Sequence, residues 1–298
     1  MQTRRTFLKQ AGLLSSSMAL MNFSAFKAEP LIGLQLYTLR KEIAKEGLES
    51  VLSKTASIGY NSLEVFGFDN SKFFGKTPQE FSTLLKQNKL KSPSGHYMML
   101  DFLKNDNQDV LKKNIDAAVA LGHDFIVIPF LMDDMRTSLD DYKRLAARLN
   151  TGAEKAKEAG LKFAYHNHNF EFKDWGNGQT GFEIFRKETD PSLVFFEMDI
   201  YWVVKSGIDP VKLIQDNPGR IKLWHTKDSS VKGKADFSLG GKQTYTEVGS
   251  GVIDFKEIFK HKKESGMEYF YVEQDETSIP VYESIAKSYA YVHANLAK

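Results

Sequence analysis

Glu171, Asp199, His225 and Glu273 stand at the polar ends of four successive apolar runs, three carboxylates and one imidazole at equivalent places. Side chains of these types bind a divalent cation, because carboxylates neutralise its charge and imidazole adds a directional lone pair. One imidazole among three carboxylates favours Mn2+ or Mg2+, with Co2+ or Zn2+ able to substitute. Two open positions on such an ion would hold two neighbouring oxygens of a sugar, polarising a carbonyl and stabilising an enediolate. Glu171 and Glu273 could also serve as bases, one on each face of the substrate carbon. That chemistry is proton abstraction next to a carbonyl.

The flanking residues sharpen this reading. In the run from Phe163 to Phe172, strand alternation sends His166 and His168 to one face, and each suits a hydrogen-bonded core or a site. Glu171 lies beyond the regular strand between two phenylalanines, where a carboxylate needs a partner and could turn into the mouth of the fold. Glu197 and Asp199 share parity, with Asp199 nearer the C-terminal end. Lys227 and Asp228 follow closely on His225. Any one of these residues could belong to a structural ion pair, but four ligand types at equivalent strand ends point to a shared site.

The elements that must position them alternate without a low-complexity linker. Strands are expected at Ile32 to Leu36, Ser62 to Phe66, Ser92 to His96, Phe125 to Pro129, Lys162 to His166, Val194 to Asp199, Ile221 to His225 and Phe270 to Glu273. Helical periodicity marks Leu48 to Ser57, Pro78 to Gln87, Gln108 to Leu121, Leu139 to Ala159, Gly181 to Glu188, Pro210 to Asp216, Phe255 to Ser265 and Ile285 to Leu296. Strict strand and helix alternation predicts an α/β fold, a (β/α)8 TIM barrel with a closed parallel eight-stranded sheet and chemistry at its C-terminal face. A doubly wound open sheet would carry a Gly-rich phosphate turn after its first strand, and here that strand runs into Tyr37-Thr-Leu-Arg40 instead.

The chain holds 40 Lys and Arg against 38 Asp and Glu, and four of the basic residues, Arg4, Arg5, Lys9 and Lys27, fall in the first 28, leaving 36 beyond them. No basic run suits a nucleic-acid backbone, so nucleic acid is not an expected partner. The absence of cysteine excludes disulfides and thiolate metal sites. Arg4-Arg-Thr-Phe-Leu-Lys9 followed by a modest apolar stretch resembles a twin-arginine export signal over residues 1–28, ahead of a domain spanning 29–298. Export would place the protein in the periplasm, with membrane contact only through an uncleaved signal.

His-Asn-His-Asn-Phe-Glu171, Met-Asp-Ile-Tyr-Trp202, His225-Thr-Lys-Asp228, the segment from Glu247 to Phe255 and Val-Glu273 together resemble the xylose isomerase-like barrels. That family includes sugar isomerases, ketose 3-epimerases, inosose dehydratases and metal-dependent endonucleases. The resemblance covers roughly residues 30–297. It implies that Glu171, Asp199, His225 and Glu273 hold the metal, that Glu171 and Glu273 are the acid/base pair, and that His96 and Glu64 face substrate. His166, His168, Trp202 and Lys227 join them as expected substrate-binding residues.

The chain departs from the ketose 3-epimerases at two points. Trp202 stands where those enzymes place a substrate-binding histidine, and the arginine after the metal histidine is missing, with Lys227 and Lys232 the nearest cations. The pattern looks more like members acting on 3-keto-glycosides, where a base takes the C2 proton and the C1 substituent is eliminated. The expectation is a metal-dependent sugar isomerase or epimerase type of enzyme, with 3-keto-glycoside lyase or hydratase activity as its alternative and a non-catalytic periplasmic sugar-binding protein as the reading from another class. The expected partner is a neutral sugar or glycoside.

Overall fold

Eight short runs rich in Val, Ile, Leu and Phe pair in parallel, as β-branched and aromatic residues do on a pleated surface buried on both sides. In the computed structural model, which describes residues 30–239 and 243–297, they are β1 (Gly33–Gln35), β2 (Ser62–Val65), β3 (Lys91–His96), β4 (Phe125–Ile128), β5 (Lys162–His166), β6 (Val194–Asp199), β7 (Ile221–Thr226) and β8 (Tyr269–Val272). Each strand pairs with its sequence neighbour, and β1 pairs with both β2 and β8, closing the barrel. The fold is the expected (β/α)8 barrel. The expected export segment, residues 1–28, lies outside the described residues.

The period of two along each strand divides the side chains between two layers. Phe125, Val127, Ala164, Leu223 and Tyr271 point inward as one apolar cluster, and Phe125 meets the edges of Phe195 and Tyr269 across the barrel floor. The alternate residues, such as Ile126, Phe163 and Trp224, pack outward against the helices. Two residues beyond Ala164, Leu223 and Tyr271 on the same inner face come His166, His225 and Glu273. The polar site is therefore the next layer of the core, raised on an apolar plug.

Close approach requires glycine at two positions that shape this arrangement. A Cβ at Gly33 would come within 2.3 Å of the Tyr271 ring, whose hydroxyl reaches the site layer. A Cβ at Gly251 would lie 2.3 Å from the Asp228 carboxylate. That carboxylate accepts from the backbone amides of Ser229, Gly249, Gly251 and Ile253, at 2.8 to 3.3 Å, and so folds the loop after β7 onto the barrel mouth.

The helices follow the expected order, with Pro78–Gln87, Gln108–Leu121 and Gly181–Glu188 matching the periodic segments residue for residue. The segment expected as one helix from Phe255 to Ser265 breaks at His261 into Phe255–Lys260 and Lys262–Ser265. The final helix starts earlier, at Val281, directly after Pro280, its N-cap residue. Helices at Arg40–Glu46, Leu100–Asn105 and Ile200–Lys205 were not expected. The last is an Ile-Tyr-Trp-Val-Val run that reads as strand. Asp199 caps it, its Oδ1 accepting from the Trp202 amide at 3.0 Å, and turns it helical.

His123 lies buried between this barrel and the loop entering β4, donating from Nδ1 to the Ser92 carbonyl at 2.5 Å while Nε2 has no hydrogen-bond partner. Burial lowers its pKa from 6.5 to about 4. The unfolded chain thus takes a proton that the native state refuses, and stability falls as pH drops through that window. From pH 7 to pH 5 this single group should remove on the order of 2 kcal/mol. Urea unfolding of His123→Gln at both values should show a pH dependence smaller by about that amount than wild type.

Candidate metal centre and active site

Strand register brings the site together. Asp199 at the end of β6 lies opposite His225 of β7, and His166 at the end of β5 opposite Glu197 of β6. Glu273 follows β8, and its Oε2 reaches His225 Nδ1 at 3.0 Å. Asp199 spends Oδ1 on the helix cap, and its Oδ2 faces inward, 3.3 Å from Lys227 Nζ and 4.0 Å from both His225 Nδ1 and His166 Nε2. Ligand atoms of Asp199, His225 and Glu273 all lie within 4.8 Å of one another. His166 Nε2 stands 4.0 Å from Asp199 Oδ2, and His166 also belongs to a second such group, with His96, Glu197 and His225.

Each inward-facing imidazole is gripped by a buried carboxylate on its other nitrogen. His225 Nε2 lies 2.6 Å from Glu64 Oε2, and His166 Nδ1 lies 3.0 Å from Glu197 Oε2. A carboxylate on one ring nitrogen fixes the tautomer that offers the other nitrogen's lone pair to a metal. Glu64 is itself fixed by Gln35 Nε2 and Ser94 Oγ, both at 2.7 Å, and Ser94 Oγ is 2.7 Å from Tyr271 Oη. His96 Nε2 spans the two carboxylates, 2.7 Å from Glu197 and 3.1 Å from Glu64. Burial works against a charge on His96, but those two carboxylates outweigh it and raise its pKa to about 9.

Lys227 supplies the remaining cation. Its ammonium lies 3.3 Å from Asp199, 2.8 Å from Glu273 and 2.7 Å from Asp275, almost wholly buried. Burial opposes ionisation of Glu273, yet Lys227 and His225 together hold its carboxyl well below the usual range. For Asp199, burial prevails over the same cations and pushes it up. The donor set therefore fits a divalent cation in two respects. It offers two carboxylate oxygens and two oriented imidazoles, and it gathers Asp199, Glu273 and Asp275 around the Lys227 ammonium while Glu64 and Glu197 have only imidazoles as cationic partners.

The expected fourth ligand lies elsewhere. Glu171 sits in a short 3-10 turn, Phe170–Phe172, which carries it back over the outer side of β5. There its carboxylate accepts from the Tyr165 hydroxyl at 2.5 Å and from the His168 amide at 2.9 Å, and the Tyr165 ring packs on Phe185 of the surrounding helix layer. Burial, partly offset by the Tyr165 hydroxyl, raises the Glu171 pKa to about 7. Glu171 thus braces the turn that carries His168. The structure does not bring it to Asp199, His225 and Glu273.

The other expected residues separate by depth. His96, His166, His168, Trp202 and Lys227 line a cavity of about 580 Å3 at the C-terminal mouth, together with Glu273. Glu64 does not line it. It lies wholly buried against His225 and His96, 2.6 Å and 3.1 Å from their Nε2 atoms. Burial, helped by the Lys227 ammonium, keeps His168 neutral, its pKa well below the ordinary value, and its ring packs beside Trp202 and Phe130. Glu197 was visible in the sequence only through its parity with Asp199. Asp275 and Tyr245 carried no signal, since Asp275 lies in a loop after β8 and Tyr245 reaches Lys227 only through a two-residue strand, Tyr245–Thr246, paired with Asp228–Ser229.

A family model described as the xylose isomerase-like TIM barrel matches residues 52–290. The chain belongs to that family. It is 28% identical over 285 residues to an inosose dehydratase of Lacticaseibacillus casei, covering 86% of this chain and 92% of that protein. It is 30% identical to a sugar phosphate isomerase/epimerase of Parabacteroides distasonis ATCC 8503, with a TM-score of 0.76 over 92% of this chain and 98% of the other. The IolI protein, solved with a bound zinc atom, shares the fold at 15% identity and a TM-score of 0.69, over 89% of this chain and 97% of that one. As a member of this xylose isomerase-like family, the chain is an enzyme of the sugar isomerase/epimerase-like type.

Calorimetric titration with Mn2+ should separate the two candidate fourth positions. Asp199→Asn is expected to weaken binding by about 100-fold and Glu197→Gln, which releases His166, by about tenfold. Glu171→Gln should stay within about threefold of wild type, because its carboxylate serves the turn.

Proposed function

We propose that this enzyme is a divalent-metal-dependent lyase that removes the proton next to the carbonyl of an uncharged oxidised sugar and eliminates the oxygen substituent one carbon further on. Asp199, His225, Glu273 and His166 would hold the metal. Two imidazoles in place of one shift the preference away from Mg2+ and towards Mn2+, Co2+ or Zn2+. When bound, the metal would polarise the carbonyl and stabilise the negative charge that develops on it.

The observation that carries the choice of reaction is the position of Glu171. An epimerase needs bases on opposite faces of one carbon, and of the two expected carboxylates only Glu273 reaches the cavity. Elimination needs one base and one acid. Glu273, held ionised, is placed to take the proton. The Lys227 ammonium beside it would give up one of its carboxylate contacts to hydrogen-bond the leaving oxygen, and would protonate it fully where it departs as an alkoxide, a far stronger base than an amine. Neutral His168 can accept a hydrogen bond from a substrate hydroxyl, and Trp202 offers a face for the sugar ring.

The dehydratase name of the Lacticaseibacillus relative supports elimination, and the isomerase/epimerase name of the Parabacteroides neighbour supports the shared proton-abstraction step. The twin-arginine run at Arg4 and Arg5 supports a periplasmic destination, where a neutral glycoside is a more accessible substrate than a sugar phosphate.

Proton NMR in deuterium oxide tests the reading, with Mn2+-loaded enzyme supplied separately with a 3-keto-glucoside and with free ketoses. Release of the aglycone from the keto-glucoside is the expected result. Deuterium entering a free sugar as its isomer forms would replace the lyase by an isomerase, and no reaction with either would leave a sugar-binding protein. Glu273→Gln should lower turnover by about 100-fold or more. Lys227→Met should keep exchange of the proton beside the carbonyl while slowing aglycone release.

A further inference from the structure

The cavity above the metal centre has two chemically different halves. Its inner half is polar and deeply buried, bounded by His96, His166, Lys227 and Glu273. Its outer half is aromatic, lined from loops that follow several different strands. Tyr37 and Phe66, after β1 and β2, meet edge to face at 5.2 Å. Phe130 after β4 and Tyr245 beyond β7 face the same cavity.

The Tyr37 and Phe66 pair is built to hold its shape. Phe66 rests edge-on against Phe74 at 5.1 Å, and Arg40 lies 4.2 Å over the Tyr37 ring. The same guanidinium donates to the Tyr37 carbonyl at 3.1 Å and to Glu276 at 2.9 Å. Tyr37 nonetheless remains 39% exposed. A rigid aromatic face left open to a cavity offers stacking area at little entropic cost.

Charge at the mouth selects among ligands. Among the described residues lining the cavity, Lys227 alone carries a lysine or arginine charge, and it is already bonded to three carboxylates. Asp275 and Glu276 line the outer part as acids. A phosphate there would meet carboxylates and aromatic rings with no free cation to receive it. A cavity of about 580 Å3 also falls within the roughly 300–1,000 Å3 that encloses drug-sized ligands, which is more room than one sugar ring fills.

We infer that the outer half is a subsite for a flat apolar group carried on the sugar, so that the preferred substrate is an aryl glycoside in oxidised form. This rests on the glycoside reading above and adds the chemistry of its leaving group. The sugar occupies the polar inner half, its glycosidic oxygen lies towards Lys227, whose ammonium hydrogen-bonds an aryloxide that can leave without full proton transfer, and the aryl ring lies beside Tyr37, Phe66 and Phe130.

Equilibrium binding of unreactive ligands tests the subsite apart from the chemistry. Phenyl glucoside, methyl glucoside and glucose 6-phosphate would be titrated calorimetrically into Mn2+-loaded enzyme. The phenyl compound is expected to bind about tenfold more tightly than the methyl compound, with the phosphate weakest. Tyr37→Leu and Phe66→Leu, which keep an apolar side chain and remove the ring, should each cut the phenyl to methyl ratio about threefold. Equal affinities for the two glucosides, a ratio unmoved by both variants, or tightest binding of the phosphate would overturn the subsite. Selective phenyl binding without turnover of any keto-glycoside would leave the subsite standing and remove the lyase reaction. Turnover of methyl and phenyl keto-glucosides with equal kcat/KM and equal affinity would do the reverse.

Discussion

Carboxylates buried inside a barrel must be matched by cations, and that constraint organises this structure. Glu64, Glu197, Asp199 and Glu273 are all nearly or wholly withdrawn from solvent. Ionised groups in such surroundings carry a large desolvation cost unless each is paired and hydrogen-bonded. Lys227 and the imidazoles of His96 and His225 supply the counter-charge, and each stands between two or more acids. A divalent ion among the same oxygens would meet the same demand with more charge in less space. Protonated imidazole and metal are thus alternative answers to one electrostatic problem.

The apolar plug below the site fixes where those pairs stand. Phe125, Val127, Ala164, Leu223 and Tyr271 fill the barrel's lower interior and hold the strands at fixed register. That register places His166 beside Glu197 and Asp199 beside His225, so the geometry of these candidate ligands is set by backbone pairing. The loops add what the strands cannot. Asp228 anchors the segment from Gly249 to Ile253, Glu171 braces the turn bearing His168, and Arg40 steadies Tyr37 at the mouth. Rigid elements hold the reacting centre, and braced loops shape what may reach it.

The barrel was legible because its signals are local and periodic. Each strand run is bounded by polar or glycine residues, and each long helix shows spacing of three and four. Asp199, His225 and Glu273 were legible for a related reason, since each falls at the end of a strand whose inward parity can be counted. Glu171 fails that test. It lies five residues past the end of β5, where parity no longer applies, and the 3-10 turn sends it to Tyr165 outside the barrel. His166 obeys parity and takes the inner place. The helix Ile200–Lys205 was hidden because its β-branched and aromatic residues favour strand, and only the cap from Asp199 decides otherwise. Glu64 and Asp275 depend on contacts with residues far away in sequence, which no local pattern reports.

The central claim is that the metal lies between β5, β6, β7 and the end of β8, with His166 in the place that Glu171 was expected to fill. Anomalous diffraction at the manganese edge, from crystals grown with Mn2+, tests it directly. A single peak touching Asp199 Oδ2, Glu273 Oε2, His225 Nδ1 and His166 Nε2 is the predicted result. A peak coordinated by Glu171, or none at millimolar Mn2+, would contradict it.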